Sequence, residues 1–222
     1  HFEPASARRA FPCFDTPAQK ARFAITVVTD AADTAVSNTP IEEEAPLDAA
    51  QKMIRFAETP PLPTYLVAVA VGRLAALRTT VGTTPLSVIA PDDQLPLGRF
   101  ALDTAAALLP RFEAYFDRRY PFAKLDLVAV PAFAPGGMEN AGAIFLRDDR
   151  ILVDPATASP ATTHGIARLV AHELAHQWLG DLVTPLWWDD LWLNEATATY
   201  VAHQVLEAWR PEWRAWDEFQ GP

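Results

Sequence analysis

The sequence predicts an α+β protein in which antiparallel strands come first and helices follow. Two observations lead to this fold class. Short segments rich in β-branched residues, with prolines between them, dominate the first part of the chain, and strands of this kind favour an antiparallel sheet. Apolar residues at helical spacing begin at Leu102 and recur in two later segments, which indicates helices that pack on a core.

The first part of the chain is predicted to be a loop followed by strands. Pro4, Pro12 and Pro17 break any helix within residues 1–18. The acidic run at residues 42–44 is expected to be a solvated loop. Strands are predicted at residues 22–29, 52–57 and 65–71, with a turn at 37–40.

We place a domain boundary at Gly72, so residues 1–72 form the end of an N-terminal β-domain. The second domain, residues 73–222, is predicted to hold further strands at residues 85–90, 125–130 and 143–146. An apolar helical face begins at Leu102 and contains Pro110, which should kink or divide the helix. Two more helices are predicted at residues 163–179 and 194–209.

The composition is that of a globular protein with an excess of acidic residues. Among 222 residues, 18 are Lys or Arg and 28 are Asp or Glu, so the net charge is −10. This charge, without a basic stripe, argues against nucleic-acid binding. Cys13 is the single cysteine, which excludes an intrachain disulfide and favours a reducing, cytoplasmic compartment. No apolar run is long enough to cross a membrane, and the oligomeric state is not predicted.

The most informative stretch contains His172, Glu173 and His176. On a helix, two histidines four residues apart project from one face, so their neutral nitrogens can bind one Zn²⁺. Glu173 can accept a proton from water without being a ligand. Glu195, with eighteen residues between it and His176, offers the third ligand that a catalytic zinc requires. The pattern predicts one Zn²⁺ per chain and amide hydrolysis with Glu173 as general base.

Other residues near this motif have alternative roles. Asp190 and Asn194 flank Glu195 and could orient the ligands or cap the loop and the helix. His164 and His203 lack metal-ligand spacing to any partner. Tryptophans concentrated in this region are predicted to pack the core and fix a loop, rather than form a substrate platform; they are Trp178, Trp187, Trp188 and Trp192.

A second unusual stretch, residues 136–140, reads Gly-Gly-Met-Glu-Asn. Paired glycines let a backbone come close to another chain, and Glu139 lies where a ligand could then be bound. The alternative interpretation from these residues alone is an ordinary turn.

The two motifs together, in this order, resemble the M1 family of zinc aminopeptidases (gluzincins). The resemblance extends over nearly the whole chain and includes residues 7–15, 124–128 and 188–195. It implies the end of an antiparallel β-domain followed by a thermolysin-like zinc metallopeptidase catalytic domain, truncated at its C-terminal end. His172, His176 and Glu195 would be the zinc ligands, and Glu173 would be the general base.

The resemblance also implies how a substrate is bound. Glu139 and Glu3 would bind the free α-amino group of a peptide, which makes the enzyme an exopeptidase whose substrates have a free N-terminus. The backbone around the two glycines would hydrogen-bond the substrate as an added strand. The implied substrate-binding residues are Glu3, Gly136, Gly137, Met138, Glu139 and Asn140.

Some positions depart from the family pattern. His1 stands where the family has a glutamine, two residues before Glu3. The lining of the pocket for the first side chain of the substrate is therefore expected to differ from the family pattern. Thr16 replaces a glutamate. The family's transition-state tyrosine would lie beyond Pro222, and the chain begins without an initiator methionine or signal peptide. We therefore expect a segment of a longer polypeptide, which could be inactive in isolation.

Three alternatives to an aminopeptidase stay open. A thermolysin-like endopeptidase would share the zinc ligands but has no use for Glu139 and Glu3. A bifunctional epoxide hydrolase with aminopeptidase activity can carry the same glycine-containing motif. A peptide-binding fragment that lacks catalysis is the alternative outside enzymes, and the presence of Glu173 disfavours it.

Overall fold

The computed structural model describes residues 1–219, in which ten strands and four α-helices are joined by turns and loops. The strands are β1 Thr26–Asp30, β2 Thr34–Ser37, β3 Ile41–Pro46, β4 Gln51–Phe56, β5 Val69–Gly72, β6 Leu74–Val81, β7 Thr84–Pro91, β8 Leu125–Val130, β9 Gly137–Met138 and β10 Ala143–Arg147. The helices are α1 Arg99–Tyr115, α2 Pro160–His176, α3 Leu191–Trp209 and α4 Ala215–Phe219. The predicted fold class is confirmed, because an antiparallel β region precedes a helical one.

The N-terminal part contains a three-stranded sheet, in the order β1-β4-β3, and a two-stranded sheet of β2 and β5. All of these pairs are antiparallel, as expected. The prediction of a loop at residues 42–44 is wrong, since this run lies in the exposed strand β3. Arg55 on β4 pairs with Glu42 and Glu43 at 2.8 and 2.9 Å, and Lys52 pairs with Glu44 at 2.8 Å. These cross-strand charge pairs offset the low strand propensity of glutamate.

The strand predicted at residues 65–71 is shorter in the structure. Tyr65 and Leu66 lie in a buried 3₁₀ turn, and β5 starts only at Val69. The side chain of Asn38 accepts a hydrogen bond from the backbone N–H of Ala68 at 2.9 Å and donates one to the carbonyl of Leu66 at 2.8 Å. These hydrogen bonds to the Asn38 side chain satisfy the backbone groups of Leu66 and Ala68, which therefore need no partner strand.

The second part is built on a five-stranded mixed sheet in the order β6-β7-β8-β10-β9. The inner strands β7, β8 and β10 are parallel, whereas β6 and β9 are antiparallel edge strands. Helices α1, α2 and α3 contribute to one apolar core with the sheet, which includes Leu86, Phe112, Val170 and Val201. Strand β5 ends at Gly72, where the chain passes from the small sheet to this one. The domain boundary itself stays a prediction.

Helix α1 is a single 17-residue element that contains Pro110, so the expected division into two helices is wrong, and the alternative, a kink at this residue, stays a prediction. Pro110 lies on the exposed side of the helix. The carbonyl of Ala106, which loses its N–H partner there, can therefore bond to water. Within residues 1–219, none of the helices has the length and apolar character needed to span a membrane.

Candidate active site

Two adjacent helices carry the histidines and the glutamates of the main motif. Helix α2 begins after Ser159, whose Oγ accepts a hydrogen bond from the N–H of Thr162 at 3.1 Å and so caps the helix. Its last two turns present His172 and His176, and the second turn of α3 presents Glu195. Helices α2 and α3 pack against each other through the shared core.

The three predicted zinc ligands lie close together. The Nε2 atoms of His172 and His176 are 3.1 Å apart, and Oε2 of Glu195 is 3.3 and 3.6 Å from them. With metal–ligand bonds of about 2.0–2.1 Å, the ligand atoms around a tetrahedral zinc are about 3.3–3.4 Å apart. The three measured separations therefore fit one zinc ion, and two nitrogens with one carboxylate oxygen are a donor set suited to it.

The far side of each imidazole ring is fixed by a hydrogen-bond partner. Nδ1 of His176 is 3.0 Å from the carbonyl of Leu179, and Nδ1 of His172 is 3.3 Å from Oγ1 of Thr199. A proton on Nδ1 of His176 leaves its Nε2 lone pair directed at the cluster. Our reading of the sequence missed both partners, although Thr199 stands four residues after Glu195 on the same helix face.

Asp190 and Asn194, which the sequence suggested as residues that orient the ligands, do not contact the ligands through hydrogen bonds in the described chain. Among residues 1–219, neither side chain is hydrogen-bonded to a predicted ligand. Asn194 packs against Gly180, whose φ is +113°, and an added Cβ there would lie 2.7 Å from Oδ1 of Asn194. Gly180 thus lets the chain turn closely past the start of α3.

Glu173 is 4% exposed and lies against the edge strand β9. Burial, together with the negative charge of Glu139, raises the pKa of its carboxyl well above the ordinary value. A Cβ at Gly137 would overlap the carboxylate of Glu173. The second glycine of the pair is therefore needed for close approach between the strand and this carboxylate.

Glu139 and Glu3 meet beside the same cluster. Ligand oxygens of Glu3, Glu139 and Glu195 all lie within 4.8 Å of one another. Oε1 of Glu3 and Oε1 of Glu139 are buried and have no hydrogen-bond partner among the described residues. Burial, reinforced by Glu139 and Glu195, raises the pKa of Glu3 to about 8. Buried carboxylate oxygens without a hydrogen bond are costly, and a cation between these two would relieve that cost.

Gln177, another residue missed from the sequence, holds the glycine-containing stretch against α2. Its Nε2 donates to the carbonyl of Glu139 at 2.7 Å, and its Oε1 accepts from the N–H of Gly142 at 3.0 Å. The side chains of Met138 and Asn140 are buried, 1% and 4% exposed. Whether these two residues contact a substrate stays a prediction.

The N-terminal part of the chain also holds the loop that follows α2. Nζ of Lys20 donates to the carbonyls of Asp181 and Leu182 at 3.1 and 3.2 Å. The hydroxyl of Tyr65 lies 3.4 Å from the carbonyl of Gly180. Because the same loop supplies the carbonyl that bonds His176, these contacts connect the β region to the candidate ligand.

The tryptophans divide into packing and exposed positions. Trp178 is 3% exposed and stacks on Phe116 with ring centroids 5.2 Å apart, which confirms its predicted role in the core. The same prediction is wrong for Trp187 and Trp192, which are 50% and 67% exposed. These two residues lie in the connection to α3 and on its first turn, outside the core formed by α2 and the sheet.

Comparison with known proteins agrees with this geometry. Residues 100–221 match the Peptidase family M1 domain, and residues 1–66 match the Peptidase M1 N-terminal domain. The chain belongs to peptidase family M1. Residues 136–140 and 172–195 both lie within the range that matches the family M1 domain.

Several relatives of this family M1 chain are named aminopeptidases. Aminopeptidase M1-A of Oryza sativa subsp. japonica is 43% identical over 98% of the chain and 25% of its own length. Probable aminopeptidase 2 of Sulfurisphaera tokodaii is 40% identical over 98% of the chain and 28% of its own length. Aminopeptidase N of Acetobacter pasteurianus is 42% identical over 90% of the chain and 57% of its own length. The chain spans about a quarter of the length of the first two relatives.

Proposed function

We propose that this chain carries the catalytic site of a zinc-dependent aminopeptidase that hydrolyses the N-terminal bond of peptides. The observation that supports this function best is that the Oε1 atoms of Glu3 and Glu139 are both buried and have no hydrogen-bond partner in the described chain. They lie next to Glu195, at the edge of the cluster with His172 and His176. A site for a positive charge therefore adjoins a site for a metal.

The zinc would be held by His172, His176 and Glu195. The atom separations and the donor set fit it, as does the bond between Nδ1 of His176 and the carbonyl of Leu179. When bound, zinc supplies Lewis acidity, which polarises a peptide carbonyl and makes water more acidic.

Glu173 would move the proton in this reaction. It would accept a proton from the water that attacks the peptide carbonyl and deliver it to the leaving nitrogen. Burial and the charge of Glu139 raise the pKa of Glu173, so the carboxyl can hold that proton between the two transfers. The bare backbone of Gly137 allows the substrate strand and Glu173 to share one narrow space.

Glu139 and Glu3 would determine which bond is cleaved. An ammonium group held by two carboxylates makes charge-assisted hydrogen bonds and fixes the peptide at its first residue. Strand β9 is an edge of its sheet, so the peptide could be added beside it as a further strand.

We also propose that residues 1–72 end a β-domain and that residues 73–222 belong to the catalytic domain.

A pair of peptides that differ only at the N-terminus tests this function. We expect the full-length polypeptide that contains this chain, purified with Zn²⁺, to cleave the first bond of the free peptide, to leave the N-acetylated peptide intact, and to lose activity with a chelator. In Glu139→Gln, kcat/KM for the free peptide should fall roughly ten- to a hundredfold, because a hydrogen bond to a charged group is worth about 1.5–3 kcal/mol. The variant should fold, since an amide is less costly to bury than a carboxylate.

Glu58→Gln is the matched control, because Glu58 lies in the N-terminal part with a side chain that is 58% exposed. It should cleave the free peptide at the parental rate. Internal cleavage of the acetylated peptide would instead support a thermolysin-like endopeptidase. Binding of the free peptide without any cleavage would support the non-catalytic alternative.

A further inference from the structure

The side chain of Gln177 connects the two halves of the candidate site. Gln177 directly follows the candidate ligand His176 at the C-terminal end of α2, and it is 0% exposed. Its amide bonds to the loop between β9 and β10, residues 139–142, which carries the carboxylate of Glu139. The candidate metal site and the candidate amine site therefore lie on different elements that share one buried glutamine.

Three buried hydrogen bonds fix the amide of Gln177 in one orientation. Its Nε2 donates to the carbonyl of Glu139 at 2.7 Å, and its Oε1 accepts from the N–H of Gly142 at 3.0 Å. The hydroxyl of Tyr120 lies 2.9 Å from the same Oε1. A reversed amide would set donor against donor and acceptor against acceptor. The two ends of one rigid amide therefore hold the first and the last residue of the loop.

The other side of the loop is fixed by β8 and by the β region. The carbonyl of Gly142 accepts hydrogen bonds from the N–H of Asp126 at 3.1 Å and from Nζ of Lys124 at 3.0 Å. The φ of Gly142 is +72°, and an added Cβ would lie 2.4 Å from the carbonyl oxygen of Asn38. With this side fixed, the separation between the loop and α2 is set by the side chain of Gln177.

This separation matters because a substrate would contact both elements at once. Oε1 of Glu139 is 4.0 Å from Nδ1 of His176, and in a peptide one tetrahedral carbon separates the amine nitrogen from the first carbonyl carbon. A misplacement of about 1 Å can lower a rate about a hundredfold. We propose that Gln177 is a positioning residue that sets the distance between the amine site at Glu139 and the metal site on α2. This inference rests on the proposed function, which assigns the two sites.

Three hydroxamates measure this distance without turnover. Each carries the same zinc-binding group, which can take the open position of a catalytic zinc. Alanine hydroxamate has its amine where a peptide has it, its isomer β-alanine hydroxamate has the amine one carbon further away, and propionohydroxamate has none. Calorimetry with the full-length polypeptide that contains this chain, loaded with Zn²⁺, gives their dissociation constants. We expect alanine hydroxamate to bind roughly ten- to a hundredfold more tightly than the other two.

In Gln177→Met the side chain keeps a similar length and loses both hydrogen-bonding groups. Alanine hydroxamate should then bind roughly tenfold more weakly, while propionohydroxamate binds as in the parent and β-alanine hydroxamate binds more tightly than propionohydroxamate. The kcat for a free peptide should fall roughly ten- to a hundredfold. If this variant does not fold, Gln177→Asn provides the test, because its amide is one methylene too short to span the same separation and the affinities should change in the same direction.

Ser37→Ala is the matched control, since Ser37 is also 0% exposed and its Oγ donates to a backbone carbonyl, that of Ala68, at 2.8 Å. It should keep the parental affinities. Parental affinities in a folded Gln177 variant would overturn the inference, and so would equal weakening of all three hydroxamates, which indicates general structural support. Equal binding of the three by the parent would instead contradict the amine site, and with it the proposed function.

Discussion

In Glu173→Gln we expect turnover of a free peptide to fall by about 10²- to 10⁴-fold while zinc content stays at the parental level. Glutamine has nearly the shape of glutamate but cannot accept a proton. Glu173 is not within the group of His172, His176 and Glu195 that could hold the metal. Loss of the carboxylate should therefore remove the proton transfer and leave the metal site in place.

Two measurements on the same sample check this expectation. Single-turnover hydrolysis reports the chemical step, and metal analysis of the dialysed protein reports zinc. The buried position of Glu173 beside Gly137 has room for an amide of equal size, so thermal unfolding should show a folded variant. Hydrolysis near the parental rate with full zinc content would assign the general base to another group.

In Glu195→Ala we expect the affinity for Zn²⁺ to fall more than about a hundredfold. The reason is that residues which only orient ligands already contribute about 10- to 100-fold, whereas this substitution removes a ligand. His172 and His176 alone leave a tetrahedral site without its third protein ligand. Competition with a chromogenic chelator measures the dissociation constant.

Asp190→Ala is the control for this experiment. Asp190 lies directly before α3, in the same region as Glu195, and its side chain does not cap that helix. The Asp190→Ala variant should bind zinc as tightly as the parent. If its affinity falls as much as that of Glu195→Ala, Asp190 does orient the ligands. Zinc binding that is equally tight with and without Glu195 would exclude this glutamate from the metal site.

The local sequence was enough to predict some elements and the candidate ligands. A helix repeats every 3.6 residues, so the spacing of His172 and His176 already implies that they share one face of α2. The strands with strong β propensity, such as β4 and β8, were also predicted correctly. The weakly marked strands β2, β3 and β6 were missed, because their stability comes from partners in the sheet rather than from their own residues.

Other features exist only in the tertiary structure. Glu3 and Glu139 are remote in sequence, and whether their oxygens meet near Glu195 depends on how the β region packs on the catalytic part. The contact of Gly137 with Glu173 depends on the position of β9 beside α2. Neither contact follows from spacing, because each joins segments whose separation along the chain sets no distance in space.

A cavity of about 380 Å³ beside His172, whose lining includes Arg147, Arg150 and Arg168, is another example of this difference. In the sequence, Arg147 and Arg150 follow one strand, and Arg168 belongs to a helix that begins after a further loop. As isolated residues they read as ordinary surface charges. Charge creates a binding surface only when several like groups line one concave space, and the packing of α2 against the β9–β10 edge produces that space. The sequence by itself determined the donor atoms, while the fold decided which of them face one another.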